Sequence, residues 1–251
     1  DKIKYYVDNL EHMFVEAAPA DSVAAIIFEP IQGEGGFIPA PIEWVKAVRQ
    51  ICDKHGILMI TDEVQTGWSR SGSLFVSDYY KEAGCAPDIM TTAKSIAGGL
   101  PLSAVVAKKE IMDAVPTGTI GGTYCGNPLA CASALKVMEV MEKEDYPGKA
   151  KKIGAIAMEK FNEWKEKYEV IGDVRGIGSM IGVEFVKDKA TKEANAEIVG
   201  KIVNYAVKKG LMLEAAGTYG NVIRFLCPLC VTDEQLKKGL EIYEEAIVSC
   251  M

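Results

Sequence analysis

The sequence predicts an α/β protein, because buried strand segments alternate with amphipathic helices in its first half. Val23–Pro30 and Ile57–Thr61 are largely apolar runs, typical of strands that are buried on both faces. Between them, Pro41–His55 has the apolar spacing of a helix, and Gly56 follows it as a common helix-ending residue. The order strand, helix, strand predicts a βαβ unit and a mainly parallel sheet.

The other segments of the first 148 residues extend this pattern. The chain up to about Ala18 has the apolar spacing of an amphipathic helix, and no strand precedes it. A crossover helix without its strand predicts that a segment is missing upstream. Beyond Gly67 a looser region rich in Ser, Gly and Tyr extends to about Gly84. The elements predicted after it are a strand leading to Lys94, a strand at Ser103–Ala107, and helices at Lys109–Val115 and Pro128–Glu144.

Asp145–Gly148 interrupts the long helix, and a charged amphipathic segment follows it. We therefore predict two domains: residues 1–148 belong to a larger α/β domain, and residues 149–251 form a smaller α+β domain. The elements predicted in the smaller domain are helices at Lys149–Lys167, Ala194–Lys209 and Thr232–Val248, a strand pair within Val170–Phe185, and strands at Leu211–Glu214 and Val222–Phe225.

Composition restricts the classes of partner. The 251 residues carry a formal net charge of -7, with a pI near 5.1, which argues against nucleic acid or an anionic membrane as the main partner. No apolar run reaches the ~18 residues that a membrane span requires. Seven cysteines, an odd number scattered through apolar segments, favour free thiols in a reducing compartment. These features predict a cytoplasmic protein.

Asp62 stands at the end of the predicted strand Ile57–Thr61, and Glu63 follows it. In open α/β sheets ligands bind beyond the carboxyl ends of the strands, so Asp62 is placed to meet a cationic group of a ligand. The alternative interpretation is that Asp62 caps the turn or helix that follows.

Lys94 lies 32 positions further on, in an otherwise neutral run of small and apolar residues. A lysine is seldom buried without a partner or a chemical use, and desolvation would lower its pKa and free the amine to attack a carbonyl. A lysine beside a strand-end aspartate is the combination that pyridoxal 5'-phosphate (PLP) chemistry requires, because the carboxylate keeps the pyridine nitrogen protonated. Lys94 could instead be a surface lysine with a buried stem.

Three further residues are candidates for contacts with a ligand. Glu34 lies in a loop whose glycines allow close approach to a ligand, although it could equally be a solvated acid. Thr123 precedes the helix that begins at Pro128, where hydroxyls and amides suit a phosphate, or simply form a capped loop. Arg224 interrupts an apolar strand and suits a substrate carboxylate, or else a structural ion pair. Both interpretations of Arg224 hold if it forms an ion pair with Glu34 in the absence of substrate and if this pair separates when substrate binds.

Five segments in order resemble the class III (omega-amino acid) aminotransferases, and within that family the resemblance favours members acting on 4-aminobutyrate. This resemblance implies PLP-dependent fold type I, with part of the large domain and a small C-terminal α+β domain. The matching segments are Glu29–Gly36, Thr61–Gly67, Thr92–Pro101, Gly121–Tyr124 with Gly126–Pro128, and Ile223–Phe225.

The resemblance also implies cofactor-binding roles. Lys94 would bond covalently to PLP and then move the proton between substrate and cofactor. Asp62 would pair with the pyridinium nitrogen, Val64 would pack on the ring, and Gln65 would hydrogen-bond the ring hydroxyl. Thr123 would donate to a phosphate across a dimer interface, which implies a homodimer.

The same resemblance implies substrate-binding roles and a reaction. Arg224 would bind the α-carboxylate of an amino or 2-oxo acid, and Glu34 would neutralise it when an omega-amino acid is bound. The expected reaction moves an amino group from an omega-amino acid, with 4-aminobutyrate as the best guess, to 2-oxoglutarate by ping-pong chemistry. Ornithine or acetylornithine-type donors are the alternative, and racemases or decarboxylases on the same fold are a further one.

The resemblance begins partway through the family's large domain. We therefore expect a truncated chain that lacks part of the phosphate-binding site and binds PLP weakly or not at all by itself. The alternative from another functional class is a non-catalytic fragment that only folds and associates.

Overall fold

The computed structural model describes residues 2–251. Within this range the helices are α1 (Lys2–Glu16), α2 (Ile42–His55), α3 (Val76–Glu82), α4 (Lys109–Asp113), α5 (Pro128–Lys143), α6 (Tyr146–Lys167), α7 (Ala196–Lys208) and α8 (Asp233–Cys250). The strands are β1 (Ala25–Phe28), β2 (Ile31–Gln32), β3 (Ile38–Pro39), β4 (Leu58–Asp62), β5 (Ile89–Thr92), β6 (Ala104–Ala107), β7 (Ile171–Ile177), β8 (Met180–Phe185), β9 (Glu214–Ala216) and β10 (Val222–Phe225).

The chain forms two compact units. The first unit comprises the residues up to Pro30, Ala40–Trp68 and Ser73–Glu144. The second unit comprises Ile31–Pro39, Ser69–Gly72 and Asp145–Met251. Two short segments from the first half of the chain therefore belong to the second unit, and the division into domains 1–148 and 149–251 stays a prediction.

The first unit has the predicted α/β fold. Its four-stranded sheet has the order β1-β4-β5-β6, in which β4 pairs parallel to both β1 and β5 and only β6 is antiparallel. Helix α2 makes the crossover from β1 to β4 and ends at Gly56, whose left-handed φ of 69° a glycine adopts without strain. Because β4 and β5 are parallel, their carboxyl ends meet at the same edge of the sheet.

The second unit is α+β. Its antiparallel sheet has the order β7-β8-β10-β9. Helices α6, α7 and α8 supply the other side of one apolar core, in which Phe161, Trp164 and Tyr243 are fully or almost fully buried and their rings contact one another. Each of these large aromatic side chains buries apolar area that stabilises this unit.

Several predicted boundaries were wrong, each for a local reason. Helix α6 begins at Tyr146 instead of Lys149, because the Asp145 carboxylate accepts from the Gly148 amide and Pro147 fits the first turn. The looser region before Gly84 contains α3. Strand β9 begins at Glu214, where the predicted strand ended, because its register is set by pairing with β10.

No helix in the described part of the chain combines the length and the apolar character that crossing a bilayer requires.

A buried carboxylate joins three elements of the first unit. Asp88 accepts hydrogen bonds from the Met59 amide in β4 (2.8 Å), from Arg49 in α2 (2.6 Å) and from Lys108 after β6 (2.5 Å). Burial by itself raises the pKa of Asp88, but the donors from Lys108, Met59 and Arg49 outweigh it and hold the pKa below its ordinary value.

We predict that Asp88→Asn destabilises the first unit by about 2–4 kcal/mol, because Arg49 and Lys108 lose their shared counter-charge. A lowered folded-state pKa contributes stability above the unfolded-state pKa, and this contribution is lost as pH falls through the folded value. Urea unfolding at neutral pH and at about pH 3 measures both effects. The difference between parent and variant should shrink at the lower pH, and a difference that does not depend on pH would contradict the assignment.

Candidate active site

Asp62 is the last residue of β4 and is half-buried. Its Oδ1 accepts from the Val64 amide at 3.0 Å, so it caps the turn that follows the strand. Within the described residues its Oδ2 accepts no hydrogen bond. Asp62 lies in register with Thr91 of β5, so the two strands leave the sheet side by side. The carboxylate therefore combines the capping function with an oxygen available for a ligand.

Glu63, the neighbouring acid, is fully buried and has a structural function. It accepts from the Thr66 hydroxyl (2.5 Å), the Val76 amide (3.1 Å), and both the amide (2.6 Å) and the hydroxyl (2.7 Å) of Ser77. These bonds tie β4 to the first turn of α3. The carboxylate of Glu63 is therefore engaged on both oxygens, and Asp62 is the acid of the pair that can bind a ligand.

The structure corrects the sequence-based placement of Lys94. Strand β5 ends at Thr92, and Lys94 begins a short 3-10 helix, Lys94–Ala97, instead of lying in a buried strand. The Lys94 side chain is exposed in this chain, so the prediction that it is buried was wrong. Its φ of 46° is in the left-handed region, which costs a non-glycine residue about 1 kcal/mol or more and is concentrated at functional sites.

Buried contacts fix the turn that carries Lys94. Trp68 Nε1 donates to Thr92 Oγ1 at 2.7 Å in the interior and fixes the end of β5. Ile96 and Ala97 are buried in an apolar cluster with Trp68, Ala130 and Ala134, the last two from α5. The Ser133 hydroxyl also donates to the Ala97 carbonyl at 2.9 Å. These contacts fix the backbone of the Lys94 turn just beyond the end of β5, at the sheet edge where β4 also ends.

Val64 and Gln65 lie in the turn directly after Asp62, and both are half-buried. Within the described residues, Gln65 Oε1 and Thr91 Oγ1 are buried without a hydrogen-bond partner. A buried acceptor without a donor is unfavourable unless a bound group supplies one. Asp62 supplies a carboxylate, Gln65 a buried acceptor and Lys94 an amine, which are the kinds of group that would bind the pyridine nitrogen, the hydroxyl and the aldehyde of PLP.

Thr123 lies in an exposed turn, Thr123–Gly126, that precedes α5. The N-cap of α5 is Asn127, whose side chain accepts from the Leu129 amide at 2.9 Å. Among the described contacts none joins Thr123 to Asp62 or Lys94. The structure therefore places Thr123 at the surface of the chain, before a capped helix.

Arg224 and Glu34 come together in the second unit. Arg224 lies on β10 with a side chain only 10% exposed, and its Nη1 contacts Glu34 Oε1 at 2.6 Å. A second acid, Glu214, was not predicted from the sequence. Its Oε2 lies 2.9 Å from Arg224 Nη2. Pairing the two predicted strands of this hairpin in register would have revealed it, because Glu214 is directly opposite Arg224.

Comparison with known proteins identifies the family. The profile of the family "Aminotransferase class-III" matches residues 1–247. The chain belongs to the class III aminotransferases. The predicted resemblance and fold type are thereby confirmed.

Two curated class III aminotransferases illustrate the similarity. The 5-aminovalerate aminotransferase of Pseudomonas putida is 51% identical over 239 residues, which are 95% of this chain and 55% of that protein. The 4-aminobutyrate aminotransferase of Escherichia coli is 43% identical over 239 residues, with the same two coverages. The chain therefore spans about half the length of these curated relatives.

A solved transaminase structure has the same fold. An amine transaminase from an uncultivated Pseudomonas species, in its PLP-bound form, superposes with a TM-score of 0.90 at 36% identity. The superposition covers 99% of this chain and 57% of that one.

We predict that Trp68→Phe loosens the Lys94 turn, because Thr92 loses the buried donor that fixes the end of β5. The matched control is Trp164→Phe, since the Nε1 of Trp164 is buried without a partner among the residues that the structure describes. Hydrogen exchange of the amides at residues 94–98 should be about three- to tenfold faster in Trp68→Phe and unchanged in Trp164→Phe. Equal exchange in the two variants would show that the indole bond does not hold the turn.

Proposed function

We propose that this chain carries the catalytic lysine and the substrate-binding arginine of a PLP-dependent aminotransferase that moves an amino group from an omega-amino acid to a 2-oxo acid. The observation that supports it most strongly is the position of Asp62 and Lys94. Asp62 ends β4 and Lys94 follows the end of β5, and because these strands are parallel and in register, both residues lie at one edge of the sheet. Membership of the class III aminotransferases supports the same activity.

In this proposal Lys94 has two functions. Its amine would hold PLP, and once released it would move a proton at the substrate carbon. PLP, when bound, supplies the electron sink for the reaction. Asp62 would use the oxygen that accepts no hydrogen bond among the described residues to keep the pyridine nitrogen protonated.

Other residues orient the cofactor. Val64 would pack on the ring face, and the buried Gln65 Oε1 would accept a hydrogen bond from the ring hydroxyl. Thr123 would donate a hydrogen bond to the phosphate of the PLP that a second copy of the chain binds, so we propose a homodimer. The exposed position of Thr123 supports a contact made to a partner molecule.

Arg224 and Glu34 give the proposed enzyme its double specificity. Glu34 pairs with Arg224 while an omega-amino donor is bound, and it withdraws when the α-carboxylate of 2-oxoglutarate or glutamate arrives. The 79% exposure of the Glu34 side chain supports such an exchange, because its carboxylate can turn into water when the substrate carboxylate replaces it beside Arg224. We propose 4-aminobutyrate or its longer homologue 5-aminovalerate as donor, which the names of the two relatives support.

We also propose a cytoplasmic location. All seven cysteines are free thiols, which a reducing compartment maintains.

The first experiment tests the covalent bond at Lys94. The chain is combined with the part of the Pseudomonas putida relative that it does not cover, incubated with PLP, reduced with borohydride and mapped by mass spectrometry. The pyridoxyl group should be found on Lys94, should be absent from Lys94→Arg and should persist in the control Lys109→Arg. A label on other lysines with Lys94 unmodified would refute the proposal.

The second experiment tests the reaction. The same complemented protein is assayed with 2-oxoglutarate and 4-aminobutyrate, 5-aminovalerate or ornithine as donor, and glutamate is measured. We predict glutamate formation that Asp62→Asn lowers by at least about a hundredfold, because the pyridine nitrogen loses its counter-charge. Racemisation of an amino acid without glutamate formation would favour the racemase alternative, and bound PLP with neither activity would favour a non-catalytic chain.

A further inference from the structure

Arg224 has two acidic partners, and the second one comes from the strand beside it. Glu214 of β9 is directly opposite Arg224 in the antiparallel register of β9 and β10. Opposite residues of an antiparallel pair place their side chains on the same face with Cβ atoms about 5 Å apart. The backbone pairing itself therefore brings Glu214 to Arg224.

The two acids hold different atoms of the guanidinium. Glu34 contacts Nη1 at 2.6 Å, and Glu214 contacts Nη2 at 2.9 Å. The Arg224 side chain is confined, being 10% exposed, whereas the Glu214 side chain is 68% exposed. Glu214 can therefore rotate into water at small cost, while the cation stays in place.

The backbones of the two acids differ in freedom. Glu34 lies in the turn between β2 and β3, and its carbonyl accepts from the Gly217 amide at 2.9 Å. Glu214 begins a strand that is paired along its length with β10. Withdrawal of Glu34 can involve its loop, but Glu214 can leave Arg224 only by changing its rotamer.

The charges of this group sum to minus one, since one guanidinium faces two carboxylates. If Glu34 alone withdraws, Arg224 still has the charge of Glu214 beside it, and an incoming carboxylate meets a neutral pair instead of a free cation. A bidentate carboxylate also requires two guanidinium nitrogens, one of which Glu214 occupies.

We propose that Glu214 is a specificity-determining residue that competes with substrate carboxylates for Arg224. It disfavours acids that carry a carboxylate on the reacting carbon, and so favours amino donors that lack one, such as omega-amino acids and simple amines. This inference rests on the proposed function for its substrate classes, although the competition itself is a property of the three side chains.

The competition is tested without PLP, on the chain itself. Glutarate, a dicarboxylate with no oxo or amino group, is titrated into the parent, Glu214→Gln and Glu159→Gln by calorimetry. Gln keeps the size of Glu214 and removes its charge, while Glu159 is an exposed acid on α6 that controls for net charge. We expect glutarate to bind Glu214→Gln about three- to tenfold more tightly than the parent or Glu159→Gln.

A second variant and a kinetic measurement keep the test decisive. The gain should disappear in the double variant Glu214→Gln, Arg224→Met, and in the complemented enzyme Glu214→Gln should lower KM for 2-oxoglutarate while leaving kcat and the donor KM within about twofold. Unchanged glutarate affinity, no binding by Glu214→Gln, or a gain that survives loss of Arg224 would overturn the proposal. Failure of PLP to bond to Lys94 would refute the proposed function and leave the glutarate result standing.

Discussion

The parallel pairing of β4 with β5 determines where the chemistry of this chain can occur. The register that sets Asp62 opposite Thr91 brings two strand ends to one edge, and Lys94 follows three residues beyond Thr91. That register is itself fixed by buried polar contacts, since Asp88 binds the Met59 amide in β4 and Trp68 binds Thr92 at the end of β5. A slip of one residue would turn every side chain of the strand to the opposite face. Stability and the proposed function therefore depend on the same pairing.

Charged groups in both units divide into structural and exchangeable ones by how completely they are engaged. Glu63 accepts four hydrogen bonds in the interior, and nothing short of unfolding α3 would release it. Arg175 is held in the same manner by the Gly36 carbonyl together with two acids. Asp62 keeps one oxygen free, and the partners of Arg224 are exposed side chains that water can replace. Such incompletely engaged groups are the ones that a ligand can bind without breaking the fold.

Local signals in the sequence predicted most elements, and non-local contacts explain the errors. The apolar runs and Gly56 act within a few residues and were sufficient for β4 and α2. Helix α3 was missed because its first turn depends on Glu63, thirteen residues upstream. Residue type identified Lys94 and Arg224 as candidates, but the exposure of Lys94 and the pairing of Glu214 with Arg224 depend on where β5 ends and how β9 pairs. Those are properties of the assembled sheets.

The central claim is that Asp62 and Lys94 serve one pyridine ring, with the carboxylate at its nitrogen. The most direct measurement is the ¹⁵N chemical shift of PLP labelled at the pyridine nitrogen and bound to the complemented protein, compared between parent and Asp62→Asn. Neutral Asn offers no counter-charge to a pyridinium. We predict a protonated nitrogen in the parent at about pH 8 and a deprotonated one in the variant, with Lys94 still bonded to the cofactor in both. The same protonation state in the two proteins would contradict the claim.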